Sequence, residues 1–243
     1  MNEIIDFFIS PYKETPAIYI LIEFTAMAFG ILSVFFAKKE NILVYPTGII
    51  STVLYVYLLS KWQMYGDLII NIYYTLMSIY GWWVWSRIVD DQSQKHIPIT
   101  RINYKDKLIS LGIFVFTASL VIVVYRYDWM GDGNPVMSNK MGFSDSFAYV
   151  WEHLSSGKLS EIKKITPYLD TFTTAAAFVA MLLMATKKLE SWLFWIVVNI
   201  ASVPLYFIKG YGFTGIQYFI FLVLAFYGYK EWKELMQKEQ ENL

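Results

Sequence analysis

The 243-residue chain contains no cysteine. Disulfides, thiolate metal sites and cysteine nucleophiles are therefore excluded. Charge is scarce as well. Asp, Glu, Lys and Arg make up 16% of the residues, against about a quarter in a soluble domain. Twenty basic and twenty acidic residues cancel, so the whole-chain balance points to no nucleic acid or acidic partner. The two histidines, His96 and His153, lie outside the apolar runs, and the H-E-x-x-H and G-x-S-x-G patterns are missing. An intramembrane enzyme would need a nucleophile or metal ligands at depth; no metal or other cofactor is expected here. The N-terminus, MNEIIDFFISPYKETP, lacks a basic n-region and a small-residue cleavage site. It reads as a short amphipathic surface helix ending near Pro11.

What is abundant is apolar and aromatic surface, at 56% and 19% of the residues. The mean hydropathy is +0.41. The apolar residues are clumped into runs that approach the ~20 residues needed to cross a bilayer as helix. A β-barrel would show alternating strands of ~10 residues instead. The reading is an all-α membrane protein with seven transmembrane helices, at 17–36, 42–60, 67–86, 108–125, 168–186, 191–208 and 212–230. Pro46 and Pro204 fall inside two of them, which membrane helices tolerate when neighbours re-satisfy the backbone. Lys38, Lys39, Arg87, Lys95, Arg101, Lys105, Lys107, Lys187, Lys188, Lys230, Lys233 and Lys238 all fall on one side of an alternating chain. The excess of basic residues on cytoplasmic loops then puts the N-terminus outside and the C-terminus inside.

Sequence similarity divides the chain further. "AKKENILVYP" at 37–46 resembles "TKKLESWLFW" at 186–195, and "IYGWWVW" at 79–85 resembles "FYGYKEW" at 226–232. Tyr65-Gly66 likewise resembles Tyr211-Gly212. An offset of this kind at separate places signals an internal repeat. Three spans, one linking span and three spans give two repeats of the same orientation. The expected organisation is an amphipathic segment at 1–15, a first three-helix repeat at 16–87 and a cytoplasmic loop at 88–107. A linker helix at 108–126, an extracytoplasmic segment at 127–167, a second repeat at 168–232 and a tail at 233–243 follow. Within 127–167, Gly131, Gly133 and Pro135 break the chain early, and FSDSFAYVWEHL reads as a surface helix. Parallel repeats are a transporter design with the substrate site at their interface.

Polar groups inside the apolar runs are costly unless they face a cavity or each other. Trp192, Trp195, Asn199, Ser202 and Tyr206 are spaced by threes and fours and form one helix stripe. Leu193, Ile196, Ile200 and Val203 occupy the opposite face. Asn71, Tyr74, Ser78, Trp82 and Trp85 form a second stripe, and Thr214, Gln217 and Phe221 a third. Aligning Gly66 with Gly212 brings Asn71 onto Gln217, and Gly48 falls opposite Asn199. Amides between membrane helices serve either as interhelical glue or as cavity lining; for Asn71 and Gln217 both readings are open. Trp62, Trp82, Trp85 and Trp232 read as interfacial belt residues. Glu23 is a lone acid that could pair with a hydroxyl, sit in water or carry a proton. No Lys or Arg falls in the middle third of any span, so a phosphate dianion would find no partner. A flat, polar, neutral or cationic ring suits such a lining better.

Three segments carry a resemblance to a known family. They are the W-x-x-x-N of Trp195 to Asn199, "YGDLIINIYYTLMSIYGWWVW" at 65–85 and "GFTGIQYFIFLVLAFYGYKEW" at 212–232. Together the chain resembles the PnuC family of bacterial vitamin transporters over nearly its whole length. The resemblance implies facilitated diffusion of nicotinamide riboside across the bacterial inner membrane, with trapping by a cytoplasmic nicotinamide riboside kinase. It also implies a homotrimer in the lipid bilayer. Trp195 would stack on the pyridinium and Asn199 would bond the substrate's polar groups. Gln217, Asn71 and neighbouring tyrosines would complete the cage. Related branches imply thiamine or riboflavin as alternatives, and a receptor without flux is the alternative of another class.

Overall fold

The computed structural model describes residues 2–62, 65–90, 95–127, 143–158, 162 and 164–241. Helix α1 (Asn2–Ile9) leads through a 3-10 turn (Ser10–Tyr12) into α2 (Ala17–Lys38). Helices α3 (Val44–Lys61) and α4 (Tyr65–Trp85) follow. A small antiparallel ribbon pairs β1 (Ile88–Asp90) with β2 (Lys95–His96). Then come α5 (Tyr104–Tyr127), α6 (Phe143–Ser155), α7 (Thr166–Ala185), α8 (Ser191–Lys209) and α9 (Gly212–Glu241). Gly131, Gly133 and Pro135 lie outside the described residues.

Among the described residues, α2, α5, α7, α8 and α9 are long and apolar enough to cross a membrane. Helices α3 and α4, of 18 and 21 residues, are interrupted by hydroxyl and amide side chains. Several such groups in the bundle are paired. Thr52, Thr75, Thr171 and Thr173 each donate to the carbonyl four residues back, which satisfies a hydroxyl within its own helix. Others join helices: Ser33 Oγ donates to Val44 O and Ser51 Oγ to Ala26 O, both at 2.7 Å. Tyr73 donates to Phe178 O at 2.9 Å and stacks on the Phe178 ring.

The packing order closes a ring. Helix α2 packs on α3, α3 on α4, α4 on α7, α7 on α8, α8 on α9 and α9 back on α2. Helix α5 stands outside the ring against α7. Its Leu111, Val115 and Phe116 are more than half exposed, as suits a lipid-facing surface. The side chains also fix helix directions. The C-terminal ends of α2, α4 and α7 meet residues 231 and 232 of α9: Lys38 pairs with Glu231 at 2.9 Å, and Trp85 packs on Trp232. Lys187, just after α7, pairs with Glu40, just after α2. So α2, α4, α7 and α9 run one way and α3 and α8 the other.

The core lies at this shared end. Tyr45, Trp85, Trp192 and Trp232 are at most 3% exposed and pack together. Trp85 and Trp232 are thus not belt residues, contrary to the sequence expectation. Trp85 faces inward, edge-on to Tyr45 at 5.1 Å, while Trp82 and Trp62 remain exposed. Trp232 buries its indole by donating Nε1 to Ala37 O at 2.8 Å.

Candidate functional site

The ring encloses a cavity of about 880 Å³. Its mouth lies at the end away from the tryptophan core and is rimmed by Pro11, Trp62 and Tyr211, all exposed. Its floor is made by Tyr45 and Trp192, both buried. Of the three stripes, Asn71, Tyr74, Ser78, Trp192, Trp195, Asn199, Ser202, Tyr206, Thr214, Gln217 and Phe221 line it, whereas Trp82 and Trp85 do not.

The walls follow from helix periodicity. On α8 the stripe points inward while Leu193 and Ile200 are exposed; Ile196 and Val203 are half-buried. Asn199 is 2% exposed, and its Oδ1 has no hydrogen-bond partner among the described residues. A buried acceptor left empty costs about 1–3 kcal/mol, so this oxygen is set for a ligand or water. Trp195 is half-buried, with Tyr74 edge-on at 6.4 Å. Tyr206 and Tyr218 stack at 4.7 Å. Gln217 accepts from the Tyr55 hydroxyl at 3.3 Å. Asn71 donates Nδ2 to Asp67 O in its own helix, so that half of its amide is already used.

Charge collects at the mouth. The charged lining residues are Glu23, Asp67, Asp170 and Lys209. Glu23 settles among its three readings by accepting from the Tyr12 hydroxyl at 2.9 Å. Burial, then the Glu23 carboxylate, push that hydroxyl above its ordinary value. Asp170 Oδ2 receives Lys209 Nζ at 2.5 Å and the Tyr125 hydroxyl at 3.1 Å. Three carboxylates against one already paired ammonium make the lining net acidic. Sequence reasoning missed Asp67, Asp170 and Tyr218. The two aspartates stand near helix starts, where acids are ordinary helix-terminus residues, so nothing in the sequence marked them as cavity groups.

A constant offset runs through the floor. Glu40 and Lys187 pair at 2.6 Å across 147 positions, and both have left-handed backbones, at φ 54° and 52°. The same offset relates Tyr45 to Trp192, Gly81 to Gly228 and Trp85 to Trp232. A Cβ on Gly81 would come within 2.6 Å of the Tyr45 hydroxyl, and one on Gly228 within 2.6 Å of the Trp192 ring. Each glycine thus seats an aromatic of the preceding helix. This register brings Asn71 onto Tyr218 rather than Gln217, and Asn199 onto Thr52 rather than Gly48. Gly48 falls on Trp195 instead.

Comparison with known proteins decides the family. The sequence pattern of the nicotinamide mononucleotide transporter family matches residues 20–234. The chain belongs to this family. Members of the nicotinamide mononucleotide transporter family are multi-pass membrane transporters, not enzymes. One relative, the nicotinamide riboside transporter PnuC of Escherichia coli (strain K12), is 26% identical over 84% of this chain and 81% of its own. The Neisseria mucosa protein of the same name is 26% identical over 86% of this chain and 70% of its own. The riboflavin/roseoflavin transporter RibM of Streptomyces davaonensis is more distant, at 22% over 64% and 58%. Among solved structures, the vitamin B3 transporter PnuC superposes with a TM-score of 0.59 at 22% identity, covering 90% of this chain and 83% of that one. The chain therefore shares that protein's predominantly helical fold.

Proposed function

We propose that the cavity carries nicotinamide riboside into the cell by facilitated diffusion. The observation that carries this reading is the lining itself: net acidic at the mouth, aromatic and amide-bearing below, with the Asn199 oxygen unpartnered. A pyridinium is a flat cation, which gains from an aromatic face and a nearby carboxylate. Trp195 stacks on it and Asn199 bonds its polar groups. Gln217, Asn71, Trp192, Ser202, Tyr206, Tyr74, Thr214 and Phe221 complete the cage. A phosphate dianion would meet three carboxylates and a lysine already held by Asp170. This favours the riboside of the relatives' names over the mononucleotide of the family's.

The architecture proposed is two parallel three-helix repeats, α2–α4 and α7–α9, joined by α5. The constant offset and the shared directions of α2, α4, α7 and α9 support it. Their C-terminal ends, with the lysines that follow them, are placed inside by the distribution of basic residues. The mouth then faces outward. The N-terminal segment, linker, extracytoplasmic segment and tail keep the boundaries given above. The resemblance supports the inner membrane, a homotrimer and a cytoplasmic kinase that traps the product. Transport is uncoupled: Glu23, the acid inside α2, is held by Tyr12 near the mouth rather than at the midplane.

A thermal-shift panel with nicotinamide riboside, its phosphate, thiamine and riboflavin tests the substrate. The riboside is expected to stabilise most. Uptake into proteoliposomes tests the class: saturable flux is expected, and binding without flux would make the chain a receptor. Accumulation against a gradient without a kinase, driven by protons or sodium, would overturn the uncoupled mechanism.

A further inference from the structure

The floor of the cavity carries more than a closed end requires. Lys187 is 3% exposed, its Nζ lies 2.6 Å from Glu40 Oε1 and 4.7 Å from the centre of the Trp85 ring. A buried ion pair contributes little net stability, because desolvation offsets the attraction. Both partners hold left-handed backbones at φ 54° and 52°, which is costly for residues with a Cβ. Around the pair, Tyr45 Oη, Trp85 Nε1, Trp192 Nε1 and Ser191 Oγ are buried with no partner among the described residues. Such a group of unmet polar atoms disfavours the closed floor relative to one that solvates them.

Position gives these features a common meaning. Glu40 and Lys187 are equivalents under the 147-position offset, and they touch. Equivalent residues touch only on the axis that relates the two three-helix units. The pair therefore lies on that axis, directly beyond Tyr45 and Trp192, which line the cavity. The Lys187 side is also strapped from outside. Thr100 N donates to Lys187 O at 3.0 Å, Leu189 N donates to Thr100 O at 2.9 Å, and Ile102 N donates to a Glu190 carboxylate oxygen. The strap fixes the loop that presents the ammonium.

We propose that Glu40 and Lys187 form an axial clasp that shuts the floor, and that parting them opens the cavity to the side opposite its mouth. The unmet hydroxyl and indole groups are solvated in the open state. Closed and open floors thus differ by one ion pair against several hydrated polar groups, a balance that a ligand above Trp192 can tip. The clasp rests on the reading of the chain as a transporter, but not on which vitamin it carries.

The absence of cysteine supplies the test. Ser191→Cys places the sole thiol of the chain at a position that is 0% exposed in the closed floor. Its rate of reaction with a hydrophilic maleimide is measured in the purified full-length protein. The rate is expected to be slow, to rise at least tenfold with Glu40→Gln, and to fall back with the paired exchange Glu40→Lys and Lys187→Glu. Lys38→Gln, which breaks the off-axis pair with Glu231 at the same end, is expected to leave it unchanged. An unchanged rate in Glu40→Gln, or equal acceleration by Lys38→Gln, would overturn the clasp; so would a paired exchange as fast as the single change. Because labelling needs no substrate, a failed substrate panel leaves this result standing, and the reverse.

Discussion

At the residue scale, the cavity lining was legible where a polar group broke an apolar pattern. Asn199 could be placed because its stripe of threes and fours includes Trp195 and Ser202, and all three line the cavity. Glu23 was visible but not its partner: Tyr12 lies 11 positions away in the 3-10 turn, and no periodicity links the two. Trp85 and Trp232 were misread because a tryptophan near a span end looks the same whether it faces headgroups or a neighbour's ring. Trp195→Ala and Asn199→Ala are each expected to weaken riboside binding at least tenfold, about 1.4 kcal/mol, by calorimetry. Leu193→Ala, on the exposed face, is expected to leave the affinity unchanged. Equal losses at all three positions would point to misfolding.

At the element scale, the seven expected stretches coincide with helices to within a few residues at most ends, and five of these helices are long and apolar enough to cross a membrane among the described residues. The exception is α9, which continues to Glu241 and buries Met236; past Lys230 its sequence is too charged to announce a packed helix. The strap at 99–102 was also invisible, since its bonds join segments 88 positions apart and use mostly backbone atoms, which every residue has. Helix seating gives a sharper expectation. Gly228→Ala drives a methyl into the Trp192 ring, and overpacking of this kind costs about 1–3 kcal/mol. Gly112→Ala on α5, where a Cβ meets nothing within 4 Å, is expected to be neutral or to stabilise by up to about 1 kcal/mol. Thermal unfolding of the two variants side by side checks both signs.

At the scale of the whole molecule, formal neutrality concealed a polarised interior. Twenty charges of each sign cancel over the chain, yet Glu23, Asp67 and Asp170 converge on one mouth, and among the described lining residues Lys209 alone opposes them. The mononucleotide is accordingly expected to compete with riboside uptake at least tenfold more weakly than unlabelled riboside. Asp67→Asn is expected to narrow that gap, read from competition curves in proteoliposomes. The clasp also constrains how the halves could have arisen. Off the axis, equivalent positions can be identical, as Gly81 and Gly228 or Trp85 and Trp232 are. On the axis they cannot: two glutamates or two lysines there would repel at contact distance. An ancestral pair of separate, identical three-helix chains could not have been locked this way. The Glu40–Lys187 bond requires its two equivalent positions to differ.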